Sequence, residues 1–191
     1  MMTAKTRCEW VGDNELYIQY HDEEWGVPSY DDQHLFEMLI LEGAQAGLNW
    51  ITILKKREGY RKAFNNFDAL KISRYTQKKI DKLLQNPDIV RNKLKVNSTV
   101  TNAKIFLEIQ KEHGSFAEYI WQFVGGKPIK NKWKKLSQVP ATTKVSDEMS
   151  KALKKRGFKF VGSTICYAYM QAVGMVNDHT LDCACYKKCA K

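Results

Sequence analysis

Residues 32–47 read DQHLFEMLILEGAQAG, and the fold class turns on this stretch. Leu35, Met38, Leu39 and Glu42 recur at i, i+3, i+4 and i+7, which is one face of an α-helix and does not match the two-residue period of a strand. Glu42 therefore falls on an apolar stripe, where a carboxylate is costly unless something pairs with it. Gly43 and Gly47 beside it favour a close backbone approach or a break in the helix.

Helical periodicity continues outward from this segment, and strand alternation is hard to find anywhere. Thr76 precedes a short helix bearing Ile80, Leu83 and Leu84, and Asn86-Pro87-Asp88 interrupts it. A longer helix follows, with Val96, Val100, Ala103 and Leu107 at helical spacing, and ends at His113-Gly114. Ser115 to Glu118 has the pattern of a capping box, opening a helix that Gly125-Gly126 stops. Residues 125–145, lysine-rich with Pro128 and Pro140, read as a loop. Ser146 is expected to cap a helix ending at Gly157, and Gly162 to Val173, apolar nearly all round, is expected to be a buried central helix ending at Gly174. An all-α protein follows, with 1–191 as a single domain and a flexible loop at about 125–145.

Composition excludes several classes. With 43% hydrophobic and 12% aromatic residues, the 191-residue chain is too apolar for disorder. No apolar run approaches the roughly 18 residues of a spanning helix, and the first ten residues have no signal-peptide core, so a cytoplasmic protein is expected. There is no nucleotide-binding glycine pattern, no serine–histidine triad spacing and no paired-carboxylate motif.

The net charge of +10 points to an anionic partner, with nucleic acid and a merely basic solvated surface as the two readings. Its distribution is uneven. Residues 1–50 carry 2 basic and 10 acidic side chains, whereas residues 51–100 carry 13 basic and 4 acidic. An acidic, aromatic first quarter suits a cation or a π-face, and the basic remainder suits phosphates.

Five cysteines without a secretion signal read as thiols or metal ligands rather than a disulfide framework. Cys8 and His21 enclose twelve residues, and His179 and Cys183 enclose three. Two thiols and two imidazoles fit a closed tetrahedral Zn²⁺ site, structural rather than catalytic. If 179–183 is helical, the i, i+4 spacing puts both ligands on one face. Cys185 and Cys189 are rival ligands, and terminal thiols without a metal are the other reading. Cys166 on the apolar helix reads as packing, and His34 and His113 as surface residues.

Two segments concentrate aromatic and acidic residues, 17–25 (YIQYHDEEW) and 41–50 (LEGAQAGLNW). A flipped base could lie between such rings while a buried glutamate accepts from its exocyclic amine, and positive charge on the base would strengthen both contacts. Core packing is the competing explanation for the same residues.

Four segments, 7–28 (RCEWVGDNELYIQYHDEEWGVP), 35–64 (LFEMLILEGAQAGLNWITILKKREGYRKAF), 149–172 (MSKALKKRGFKFVGSTICYAYMQA) and 174–186 (GMVNDHTLDCACY), resemble the DNA-3-methyladenine glycosylase type I family of bacterial base-excision enzymes. The resemblance implies a helix-hairpin-helix superfamily fold, two helical lobes around a base pocket, and a structural zinc stapling the termini through Cys8, His21, His179 and Cys183. It places base recognition or catalysis on Glu42, the pocket aromatics on Tyr17, Tyr20, Trp25 and Trp50, and the strand-approaching turn on Gly47-Leu48. The superfamily's glycine-rich hairpin has no counterpart in LQNPDIVRNK (84–93). Phosphate binding is therefore expected from the helix amides near Ile89 to Asn92 with Arg91, Lys93 and Lys95.

The implied reaction is hydrolytic excision of N3-methyladenine from alkylated double-stranded DNA by a monomer. It releases free 3-methyladenine and leaves an abasic site without strand cleavage. N3-methylation makes the base a cationic leaving group, so selectivity rather than acid catalysis is the difficulty. The alternatives are a non-catalytic zinc-containing nucleic-acid-binding module that recognises modified or unpaired bases, and a basic scaffold protein.

Overall fold

The computed structural model describes residues 5–189. They form ten α-helices: α1 (Glu15–Glu23), α2 (Asp32–Gln45), α3 (Trp50–Ala63), α4 (Ala69–Ser73), α5 (Gln77–Leu83), α6 (Lys93–His113), α7 (Phe116–Trp121), α8 (Lys144–Arg156), α9 (Ser163–Ala172) and α10 (Tyr186–Cys189). Strand structure among the described residues is one parallel pair, β1 (Ile129–Lys130) with β2 (Val176–Asn177), in which Ile129 faces Val176. The all-α expectation holds. Among the described residues, no helix is long and apolar enough to cross a membrane.

The helix α2 is the central element. The sequence predicts one buried face, yet every residue from Leu35 to Ala44 is buried, because α3, α6, α7 and α9 surround the helix. Two glutamates are thereby forced inside. Glu37 is matched: Arg57 Nε and Arg61 Nε of α3 donate to its Oε1 at 2.7 and 2.9 Å. Arg57 also forms a two-pronged pair with Glu24 at the end of α1, at 2.7 Å on each prong. This guanidinium joins α1, α2 and α3. Replacing it by Arg57→Met leaves the half-buried Glu24 carboxylate without its arginine and Glu37 with Arg61 alone, and urea unfolding is expected to show a loss of about 3 kcal/mol. A loss below about 1 kcal/mol would mean that the pair is no better than a surface ion pair.

Two local expectations change. Thr143, not Ser146, caps α8: Ser146 is the third helical residue, fully buried, and its hydroxyl accepts from Thr143 N at 2.8 Å while Thr143 Oγ1 accepts from Ser146 N at 3.2 Å. The segment 125–145 is not a free loop, since β1 anchors it to the tail through Ile129 N donating to Met175 O at 2.9 Å. The turn between α5 and α6 is docked on α3, where Lys56 Nζ donates to Pro87 O at 2.6 Å and Val90 N donates to the Tyr60 hydroxyl at 3.2 Å. Gly59 allows that approach, because a β-carbon there would overlap the Asp88 backbone.

Candidate functional site

Helix α1 opens with Asn14 accepting from the amides of Leu16 and Tyr17, and its inner face carries the buried Tyr20 and His21. His21 Nε2 lies 3.4 Å from Cys183 Sγ, and His179 Nδ1 lies 3.4 Å from Cys183 Sγ and 3.6 Å from Cys8 Sγ. All four residues are buried, and their donor atoms lie within 4.8 Å of one another. Donors held roughly 2.0–2.3 Å from a tetrahedral zinc ion stand roughly 3.3–3.8 Å apart, so the donor set fits Zn²⁺. The outer ring nitrogens are engaged in the way metal-binding imidazoles usually are: His21 Nδ1 meets Asp22 Oδ1 at 2.8 Å and His179 Nε2 meets Trp25 O at 3.1 Å. Residues 179–183 reach this arrangement through irregular backbone and a turn at 181–182, not the helix that the spacing suggested. The rival thiols lie outside the cluster, Cys185 Sγ 3.7 Å from Asp22 Oδ1 and Cys189 Sγ behind the His179 ring at 3.6 Å from its Nε2. Arg7 and Lys5 hold Asp22 from outside, and hydrogen bonding to Arg7 keeps its carboxyl well below the usual carboxylate range.

A pocket of about 210 Å³ abuts this cluster. Trp10, Tyr20, Trp25, Glu42, Gln45 and Trp50 line it, together with Leu136 and Val139 of the segment after β1, Ala168 and Gln171 of α9, and Cys8, Asp178 and Thr180. The Tyr20 and Trp50 rings stand 5.5 Å apart, tilted by 51°. Burial pushes the Glu42 carboxyl up to about 8. Its Oε2 has no hydrogen-bond partner, and neither have the indole nitrogens of Trp50 and Trp10. The contrast with Glu37, five residues earlier on the same helix and held by two arginines, shows that the fold can pair a buried glutamate and leaves this one open. An aromatic pocket with an unmatched carboxyl and indole N–H groups suits a flat, nitrogen-rich ligand, and a cationic one above all, because a cation would supply what burial removed.

Tyr17 is not among the pocket residues. It lies one layer back, with its hydroxyl accepting from Ile51 N at 3.0 Å in the first turn of α3, and so it braces the helix that begins with Trp50. Trp10, which sequence reasoning did not single out, packs edge-on to both Tyr17 and Trp25 at 5.5 and 5.0 Å. Gln45 had a signal, since it lies one turn after Glu42. Asp178 had none: it is buried beside His179 and accepts from Asn131, Trp133, Tyr167 and Gln171 at 2.6–2.8 Å.

Gly47 and Leu48 form the turn between α2 and α3. Gly47 sits at φ +78°, a conformation that favours glycine, and Leu48 is 40% exposed. Asn92 caps α6 by accepting from Lys95 N at 3.1 Å, with Arg91 and Lys93 exposed around it. Lys95 differs from them. Its ammonium donates to Ala44 O and Ala46 O at 2.8 and 2.7 Å, satisfying the carbonyls at the end of α2 and tying α6 to the Gly47-Leu48 turn, and burial lowers its pKa.

Residues 10–186 match the family model for methyladenine glycosylase. The chain is 53% identical to a DNA-3-methyladenine glycosylase of Haemophilus influenzae over 94% of its own length and 97% of that protein's. It is 49% identical to DNA-3-methyladenine glycosylase 1 of Escherichia coli over 94% of its own length and 96% of that protein's. The fold is similar, with a TM-score of 0.91 at 36% identity, to a Staphylococcus aureus 3-methyladenine DNA glycosylase I whose structure addresses 3-methyladenine recognition, covering 95% of this chain and 97% of that one.

Proposed function

The chain belongs to the methyladenine glycosylase family and is an enzyme of that class, and from this premise we propose that it flips N3-methyladenine out of alkylated duplex DNA and hydrolyses its glycosidic bond. The observation that carries the reading is the unpartnered Glu42 carboxyl among Trp10, Tyr20, Trp25 and Trp50. Trp50 and Tyr20 hold the ring, and Glu42 accepts from the exocyclic amine. The carboxylate also stabilises the cationic base, whose departure needs little help from an acid. Water adds to the oxocarbenium-like sugar, and the products are free 3-methyladenine and an abasic site. Because no lysine amine forms a Schiff base, the strand stays intact. Leu48 fills the gap left by the flipped base, and Arg91 and Lys93 hold phosphates beside the α6 N-terminus, with Lys95 setting the distance between these two elements.

We assign Cys8, His21, His179 and Cys183 as ligands of one structural Zn²⁺, which leaves no open coordination position and takes no part in the reaction. Two lobes flank the pocket, and the enzyme acts as a monomer in the bacterial cytoplasm. Family membership sets aside the non-catalytic module and the scaffold. The direct test is incubation with methylated duplex DNA and chromatography of the released bases. Free 3-methyladenine with unbroken, alkali-labile strands is expected, and the absence of any released base would overturn the reading.

A further inference from the structure

We infer that residues 129–139 form a second phosphate-binding element, gripping the DNA backbone beside the pocket in addition to Arg91 and Lys93. The inference rests on the glycosylase reading for its partner and on the geometry of this segment for its place. Between Ile129 and Lys134 the chain alternates. Ile129, Asn131 and Trp133 are the half-buried positions, and Lys130, Lys132 and Lys134 are exposed. A two-residue period of this kind puts alternate side chains on opposite sides of an extended backbone.

The inner row is fixed. Asn131 Nδ2 and Trp133 Nε1 both donate to Asp178 Oδ1, at 2.6 and 2.7 Å. Leu181 N donates to Trp133 O at 2.9 Å, and the Tyr186 hydroxyl donates to Asn131 O at 2.9 Å. The outer row is unengaged, since among the described residues none of the Lys130, Lys132 and Lys134 ammonium groups meets a carboxylate within ion-pair distance. Three like charges on one edge of a pinned backbone repel one another and gain nothing from the fold, whereas a polyanion would satisfy all three without having to order the segment.

Position supports the same partner. The segment runs on into Leu136, which lines the pocket while remaining 37% exposed, and so stands at its rim. Gln45 and Trp50, which flank the Leu48 turn, line the same pocket. The pocket is thus lined both by residues flanking the Leu48 turn, which Lys95 ties to the start of α6, and by Leu136, into which the lysine row runs. A strand delivering one base to the pocket has phosphates on both sides of that base, and the exposed lysine row next to Leu136 offers a basic element besides Arg91 and Lys93 to hold them.

The triple variant Lys130→Gln, Lys132→Gln and Lys134→Gln tests this, because exposed lysines without partners leave the fold and the pocket intact. Binding of an unmodified duplex would be followed by fluorescence anisotropy across salt concentrations, and excision would be followed at saturating and subsaturating methylated duplex. The slope of log Kobs against log salt is expected to fall by roughly 2–3. Half-saturation for excision should rise at least tenfold with the saturating rate unchanged, and binding of free 3-methyladenine should be unaltered. A salt slope and half-saturation equal to those of the unmodified protein would overturn the inference. Failure of the underlying reading looks different, because the unmodified protein would then release no base at all.

Discussion

Glu42→Gln is expected to slow release of 3-methyladenine about 100-fold in single-turnover assays, because exchanging a carboxylate for an amide removes about 3 kcal/mol of charge-assisted stabilisation from a cationic base. The substitution is nearly isosteric, so the aromatic pocket survives it. Release at the unmodified rate would remove Glu42 from the mechanism.

The same residue sets two pH dependences with opposite directions. In the empty pocket the carboxyl titrates near 8, so at neutral pH it is largely protonated, and a cationic base binds best once that proton has left. Excision kcat/KM should therefore rise by up to about tenfold per pH unit below pH 8 and then level off, a dependence that Glu42→Gln abolishes. Stability runs the other way. A carboxyl with a folded-state pKa raised from 4.5 to about 8 binds its proton more tightly in the folded than in the unfolded chain, so across that window folding stability falls as pH rises. Thermal unfolding should accordingly show Glu42→Gln gaining on the unmodified protein between pH 5 and pH 8. Glu42 is a stability burden, and replacing it is expected to make a more stable, less active protein.

The second large effect concerns the metal. Zinc analysis of the purified protein should give one equivalent per chain. Cys183→Ser, which removes the thiol lying 3.4 Å from both imidazoles, should abolish that stoichiometry. A loss of about 5 kcal/mol, at roughly 2–4 °C per kcal/mol for a chain of this size, would lower Tm by roughly 10–20 °C. Cys185→Ser and Cys189→Ser should retain the metal, because these thiols face Asp22 and the back of the His179 ring. Zinc lost in either of those two but kept in Cys183→Ser would reassign the ligands.

Much of this molecule is legible in the chain, and the gaps have definite causes. Long amphipathic segments such as 93–113 announce themselves through period and through end signals like Asn92 and Gly114. The start of α8 was misread by three residues because Thr143 and Ser146 are both good caps at capping-box spacing, and only burial shows which one is inside the helix. The four metal-ligand candidates were readable as residue types near each end, yet the turns that converge His179 and Cys183 carry no periodicity. Glu42 stood out because a charge on an apolar stripe contradicts its surroundings. Tyr17 could not be separated from Tyr20 by sequence, since three residues along a helix point in nearly the same direction and only the position of α3 decides which ring meets the pocket. Lys95 looked like its neighbours Arg91 and Lys93 until the carbonyls at the end of α2 appeared beside it. Asp178 was invisible because its four donors come from two other segments, α9 and the stretch at Asn131–Trp133, that only the fold brings to it.

The Cys8–His179 contact spans 171 residues of chain. A contact so distant in sequence is among the last to form during folding, because the entropy of closing the loop must be overcome before the contact contributes anything. Until then the cysteines of both ends are exposed together, and a pair of thiols that meets before its metal arrives can be oxidised instead. Under the zinc assignment, the yield of folded enzyme is a competition between metal capture and thiol oxidation.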